Sequence, residues 1–128
     1  MTTMPSCTII PVLGYKNLPD AITWLSLTFG FVERWRIGNH RAQLRYEDGA
    51  IAITGQSSPP ASLLVRVKNV NEHHANAEKQ GARILQAPTD FPYGERQYTV
   101  EDMGGHRWTF SETIREMSPE EWGAEANA

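Results

Sequence analysis

The chain has 128 residues, 40% of them hydrophobic and 21% charged, with a formal net charge of −3. That length suits one domain whose core needs neither disulfide nor structural metal, and scattered basic residues under a net negative charge argue against a nucleic-acid partner. Cys7 is the single cysteine, which excludes an intramolecular disulfide, a cysteine zinc cluster and a CxxC redox pair. No apolar run approaches the roughly 18 residues that span a bilayer, and residues 1–11 lack the basic and apolar regions of a signal peptide. A cytoplasmic protein without membrane contact is the expectation.

In chain order, Thr8 to Leu13 reads as a strand, and Asn17 as the N-cap of a helix with Pro19 and Asp20 in its first turn. Ala21, Trp24, Leu25, Thr28 and Phe29 have the spacing of one buried helical face, and Gly30 supplies the stop. Three strands follow, Phe31 to Ile37, Arg41 to Tyr46 and Ala50 to Thr54, separated by Gly38-Asn39 and Glu47-Asp48-Gly49 turns. Ser57-Ser58-Pro59-Pro60, polar and proline-rich, is a linker. The order then repeats. Leu63 to Val67 is a strand, Asn69-x-x-Glu72 caps a second helix that Gly81 stops, and Ala82 to Gln86, Arg96 to Val100 and Arg107 to Ser111 are strands. Tyr15-Lys16-Asn17-Leu18 recurs as Val67-Lys68-Asn69-Val70, each copy closing a β-rich apolar run, which marks a duplication. One domain over 1–128 thus divides into module one at about 8–55, a linker at 56–61, module two at about 62–112 and a tail at 113–128. In the tail, Ser118-Pro119-Glu120-Glu121 begins a short helix anchored by Trp122.

Nucleophile chemistry has little support: no GxSxG elbow or GxGxxG loop occurs, and Cys7 has no basic neighbour in sequence. Asp20, Glu47, Glu72 and Glu101 stand at helix starts or turns, where capping and solvation account for them. His73 and His74 point about 100° apart on the second helix, which suits a solvated surface and not a chelating pair. His40 and His106 read as turn or strand-end residues, with a ligand or acid/base role as the alternative. Trp24, Phe29 and Trp108 fall on core faces.

Four segments, IIPVLGYKNLPDAITWL, LTFGF, AQLRYEDGAIAI and YGERQYTVEDMGGHRWTF, carry a family resemblance; the last is similar to a YG…DPxGHxW closing segment. With the duplicated βαβββ order, Thr8 to Glu112 resembles the glyoxalase/bleomycin-resistance/dioxygenase (vicinal-oxygen-chelate) superfamily. Met103-Gly104 departs from the usual proline and acidic or small residue, which alters a turn. The resemblance implies an α+β fold, two βαβββ modules whose curled mixed sheets surround a cleft, and a homodimer. It also implies four inward metal-ligand positions, which fall here on Ile10, Ala52, Ser62 and Thr109. Zinc, iron, nickel or manganese needs imidazole or carboxylate at several such corners, so no metal and no other cofactor is expected.

Strand parity taken from those positions sends Thr8, Ile10 and Val12 to the cleft and Ile9 to the helix-covered face. It likewise turns Arg41, Gln43, Arg45, Ser62, Leu64 and Arg66 toward the cleft, with Ala42, Leu44, Tyr46, Leu63, Val65 and Val67 in the core. On the last strand Arg107, Thr109 and Ser111 face the cleft, while Trp108 and Phe110 face the core. Gln43, Arg45, Arg66, Arg107 and Thr109 then form a polar surface, and arginine forks suit a carboxylate, phosphate or planar polar group. In bleomycin-resistance relatives, which are metal-free dimers, aromatic walls bind a flat ligand. Trp35 and Tyr93 are candidates for that part, with Tyr98 in the next strand as a further ligand-binding candidate. The competing reading is a wetted sheet face whose arginines are solvated or tied up at a dimer contact. The function implied is a metal-independent small-molecule-binding protein that sequesters a planar or anionic ligand. The alternatives are a lyase, isomerase or dioxygenase-like enzyme with an unusual or metal-free site involving His40 or His106, and a scaffold whose cleft its own side chains fill.

Overall fold

Two asparagines at matching places in the repeat start the two helices of the computed structural model, which describes residues 1–127. The side chain of Asn17 accepts the Asp20 N–H at 3.1 Å, and that of Asn69 accepts the Glu72 N–H at 3.0 Å, so each helix has one of its orphan donors satisfied at the first turn. The first helix, α1 (Leu18–Phe29), ends at Gly30, whose φ of 91° is left-handed and lets its N–H reach back to the Leu25 and Ser26 carbonyls. The second, α2 (Val70–Lys79), stops at Gln80 just before Gly81. No helix among the described residues is long and apolar enough to cross a membrane.

Around the helices run β1 (Val12–Gly14), β2 (Val32–Ile37), β3 (Arg41–Tyr46), β4 (Gly49–Thr54), β5 (Ser62–Arg66), β6 (Arg83–Asp90), β7 (Glu95–Glu101) and β8 (Arg107–Thr113), then a 3-10 turn at Pro119–Trp122. They form two four-stranded sheets of identical plan, ordered β1-β4-β3-β2 and β5-β8-β7-β6. In each, the first strand pairs parallel with the last and the remaining pairs are antiparallel. The fold is therefore α+β, two βαβββ modules, each with a mixed sheet. Contacts divide the chain into Met1–Ala61 with Met103–His106, and Ser62–Asp102 with the chain from Arg107 onward.

Strand β1 is shorter than Thr8 to Leu13 because Pro11 has no N–H to donate into the parallel ladder; only its carbonyl takes part, accepting from Ala52 N at 2.9 Å. Parity therefore does not extend upstream, and Ile9 is 80% exposed instead of helix-covered. From Val12 onward the register follows the expected alternation of faces, although Gln43, Ala50 and Ala52 on the other face are buried as well. Leu13, Ala42, Leu44, Ile51 and Ile53 are buried on one face, with Leu18, Ala21, Ile22, Leu25 and Phe29 of α1. Large aliphatic and aromatic groups of this kind each contribute about 1.5–3 kcal/mol through burial, and they account for α1's position.

Helix α2 solves the same problem with fewer apolar groups, since only Val70 and Ala77 of its residues are buried. Its imidazoles fill the gap. His73 Nδ1 lies 2.5 Å from the Tyr98 hydroxyl and its ring packs 4.1 Å from that of Phe110, while His74 meets Tyr98 edge-on at 5.2 Å. The two histidines are half-buried and not on a solvated surface, because residues 100° apart straddle one large ring. Tyr98 itself is 0% exposed and stacks on Phe110, itself near-parallel to Trp108.

His106 is also structural. Its Nδ1 accepts the Ala61 N–H at 3.0 Å and its Nε2–H donates to the Gly14 carbonyl at 2.9 Å, which places the hydrogen on Nε2. Tyr15 packs edge-on against the imidazole at 5.1 Å, and a Cβ on Gly104 would stand 2.8 Å from the Tyr15 ring, so that turn accepts only glycine without a shift. Replacing His106 by alanine leaves the part-buried Ala61 N–H and the buried Gly14 carbonyl without this partner, at about 1–2 kcal/mol each, toward the low end for such groups. His106→Ala is therefore expected to lower the urea midpoint by an amount equivalent to roughly 2–4 kcal/mol, with an unchanged m-value.

Candidate functional site

Because each helix covers one side of its sheet, chemistry is confined to the opposite faces. On module one, Val12, Ala52, Gln43 and Trp35 form one row across the four strands, with Arg45 opposite Ala50 and Arg41 opposite Thr54 in the flanking rows. The ladder shifts between Glu33 and Trp35 in β2, and this bulge sets Arg34 beside Trp35 instead of behind it. Gln43 is only 2% exposed, and its carbonyl oxygen accepts from Arg34 Nη1. Arg34 and Trp35 then hold the start of the chain: Arg34 donates to the Thr2 carbonyl at 2.7 Å and the Thr3 carbonyl at 3.0 Å, and Trp35 Nε1 donates to Thr3 at 3.0 Å. Between Met4 to Ser6 and Arg34, Arg45, Glu47 and Asp48 lies a hollow of about 220 Å³.

On module two, Leu64, Thr109, Thr99 and Gln86 share a row, flanked by Arg66, Ser111, Gln97 and Thr89 on one side and by Ser62, Arg107, Glu101 and Arg83 on the other. A directional hydrogen-bond chain crosses it. The Tyr93 hydroxyl donates to Gln97 Oε1 at 3.2 Å, Gln97 Nε2 donates to Ser111 Oγ at 3.0 Å, and Ser111 donates to Glu95 Oε1 at 2.7 Å. Thr99 and Thr109 share a hydrogen bond of 2.9 Å beside it. The chain ends on the Glu95 carboxylate, an acceptor-only group whose other lone pairs are left for further donors.

The arginines divide into two groups. Arg36 grips Glu33 at 2.6 and 2.9 Å and Arg96 grips Asp90 at 2.6 and 3.2 Å, and these hydrogen bonds hold both carboxyls below the usual carboxylate range. Arg83 pairs with Glu101 at 3.1 Å. Arg45, Arg66 and Arg107 are exposed and make no ion pair among the described residues.

The residues singled out from sequence therefore separate. Trp35, Gln43 and Arg45 come together on module one; Arg66, Arg107 and Thr109 come together on module two, where Tyr93 reaches in through Gln97. Tyr93 also stacks on Phe91 at 5.4 Å and leans on Trp122 at 5.5 Å, which fixes its ring at the sheet's edge. Tyr98 does not belong to this surface: it is paired with Phe110 and points beneath α2. Arg34, Glu95 and Gln97 were missed. The last two alternate with Tyr98 and were accessible by carrying β8's parity across the ladder; the bulge that exposes Arg34 leaves no mark in sequence.

The expected metal positions do not fit a metal. Ala52 faces Val12 and Thr109 faces Leu64, Ile10 precedes β1, and Ser62 faces Arg107. These four positions offer alkyl groups and neutral hydroxyls, their partners across the parallel ladders add only alkyl groups and the Arg107 cation, and no cluster of three His, Cys, Asp or Glu able to hold an ion occurs among the described residues.

Duplicated βαβββ modules, each with one helix-covered and one open sheet face, define the class of protein. The family model described as the Glyoxalase/Bleomycin resistance protein/Dioxygenase superfamily matches residues 8–110, and the chain belongs to that superfamily. TioX from Micromonospora sp. ML1 is similar at 28% identity and a TM-score of 0.75, over 85% of this chain and 100% of that one. The lactoylglutathione lyase of Agrobacterium tumefaciens (12% identity, TM-score 0.72, 84% and 94% covered) shares the fold. So does the fosfomycin resistance protein FosX of Listeria monocytogenes (15% identity, TM-score 0.69, 93% and 99% covered). No curated protein matches the chain in sequence.

Arg45→Ala, Arg66→Ala and Arg107→Ala are each expected to change unfolding free energy by less than about 0.5 kcal/mol in urea melts, as suits charges not committed to the fold. Ser111→Ala, by contrast, severs the chain between Gln97 and Glu95 at a side chain only 3% exposed, and should cost about 1–3 kcal/mol in the same measurement.

Proposed function

We propose that the protein is a metal-independent small-molecule-binding protein that sequesters a planar or anionic ligand on its open sheet faces. The observation that carries this reading is the pair of uncommitted guanidinium groups, Arg66 and Arg107, flanking the hydroxyl row of Thr99 and Thr109 on module two. A guanidinium fork meets a carboxylate with two parallel charge-assisted hydrogen bonds, and the hydroxyls beside it serve as donor or acceptor to a planar polar body. The lack of imidazole and carboxylate at Ile10, Ala52, Ser62 and Thr109 supports capture without a metal. We place this capture in a cytoplasmic homodimer, since β1 and β5 are unpaired edges in their own sheets and exposed edges favour pairing with another chain.

A thermal-shift screen of aromatic and heteroaromatic carboxylates, run with and without chelator, tests the reading. A true ligand at 100 times its Kd adds about 2.7 kcal/mol of stability whether or not metal is removed. Arg66→Ala and Arg107→Ala are expected to weaken that ligand about tenfold or more each, by loss of a charge-assisted bond. Binding that vanishes with chelator and returns with stoichiometric metal would sink the proposal. Light scattering after gel filtration reports the dimer directly, and a monomer at micromolar concentration refutes that part.

One observation favours an enzyme as the second reading: the Tyr93–Gln97–Ser111–Glu95 chain ends with one donor, the Ser111 hydroxyl, fixed on the Glu95 carboxylate, as a positioned acid/base group requires. Glu95→Gln separates the two. In a binding protein it leaves ligand affinity within a few-fold, whereas in an enzyme it abolishes turnover while the ligand still binds.

A further inference from the structure

We propose that Arg34 and Trp35 form a recognition site for backbone amide carbonyls, filled in this chain by Thr2 and Thr3, and that a peptidic ligand with consecutive carbonyls takes their place. The proposal rests on the reading of the open faces as ligand surfaces, and it concerns module one alone.

Three N–H groups from two adjacent side chains converge on two consecutive carbonyls: Arg34 Nη2 on Thr2 at 2.7 Å, and Arg34 Nη1 and Trp35 Nε1 both on Thr3 at 3.0 Å. Neighbouring residues of a regular strand point to opposite faces, so this convergence exists only because of the β2 bulge. The fork is also anchored from behind, through the buried amide of Gln43, so that the sheet as well as the tail holds its orientation. The occupant contributes only main chain at these contacts. The Thr2 hydroxyl turns to the Met4 carbonyl at 2.5 Å, and Thr2 and Thr3 are exposed, so their side chains are not what the site reads. A surface that recognises carbonyls without side chains accepts other peptide segments of the same geometry.

Thr2 and Met4 to Ser6 form one wall of the hollow of about 220 Å³, so their release opens it and uncovers Arg45, which makes no ion pair among the described residues, with the carboxylates of Glu47 and Asp48. An extended peptidic ligand thus meets a donor for a further carbonyl or carboxylate and acceptors for its N–H groups. A tethered segment competes at an effective concentration on the order of millimolar, so a ligand matching only the two carbonyls acts in that range, and one that also engages Arg45, Glu47 or Asp48 acts below it.

The test uses the full chain, isotopically labelled, with N-acetyl-Thr-Thr-amide as probe. The 13C carbonyl resonances of Thr2 and Thr3 and the Trp35 indole N–H resonance, assigned through Trp35→Phe, are followed by NMR. Saturable probe binding should shift the Thr2 and Thr3 carbonyls to random-coil positions while the Trp35 indole remains hydrogen-bonded. Arg34→Met should produce that carbonyl shift without probe and abolish the probe's effect; Arg34→Lys, which keeps the charge but not the fork, should produce part of it and serves if Arg34→Met misfolds. No effect at about 50 mM probe, an order above the tether's effective concentration, overturns the site. So does probe binding that leaves the Thr2 and Thr3 carbonyl resonances in place, or unchanged carbonyl resonances in the Arg34 variants. If aromatic carboxylates still bind through Arg66 and Arg107 in that case, only the module-one site falls; if they do not, the broader reading falls with it.

Discussion

The parallel pairing of the first and last strands within each module governs everything else in this fold. Parallel neighbours cannot be joined by a tight turn, so the chain between β1 and β4, and between β5 and β8, must travel away and return. It does so through a helix and a hairpin, and the helix settles on one face of the sheet it has just left. One face becomes core and the other stays open, and strand alternation then assigns each side chain to packing or to solvent. Leu44 and Arg45, or Thr109 and Phe110, have opposite fates for no reason beyond their order along a strand.

The duplicated order, both asparagine caps, the Gly30 stop and the sheet cores were legible in sequence because each rests on local rules that act within a few residues. What was not legible depends on pairing. Pro11 shortens β1 only because its partner needs a donor there. His73 and His74 pass for surface residues until Tyr98 is known to lie beneath α2, where a helix short of apolar groups uses imidazole rings as flat packing. Tyr98 was grouped with the site because an aromatic in a late strand is ambiguous without its register, and its pairing with Phe110 resolves the ambiguity toward the core. Arg34 is the clearest case: a bulge is a property of two strands, and no composition marks it.

The two open faces have different chemical character despite their shared plan. Module one presents donors held in fixed directions, anchored on a buried amide and already engaged with main-chain carbonyls. Module two presents a hydroxyl row with a hydrogen-bond chain that converges on Glu95, flanked by free guanidinium groups. Duplication supplied two copies of a scaffold, and the side chains on the open faces have since diverged while the helix-covered faces kept the same task of filling a core.

The hydrogen bond between His106 and the Gly14 carbonyl joins residues 92 positions apart. Met103–His106 belongs to the first compact unit although most of the second lies between them in sequence. During synthesis, module one therefore emerges from the ribosome lacking a part it needs, and its last buried polar contacts close only after nearly the whole of module two has been made. The two halves of the repeat are copies in architecture but not independent in folding, and a chain cut at the Ser57 to Pro60 linker yields a first half with an open seam.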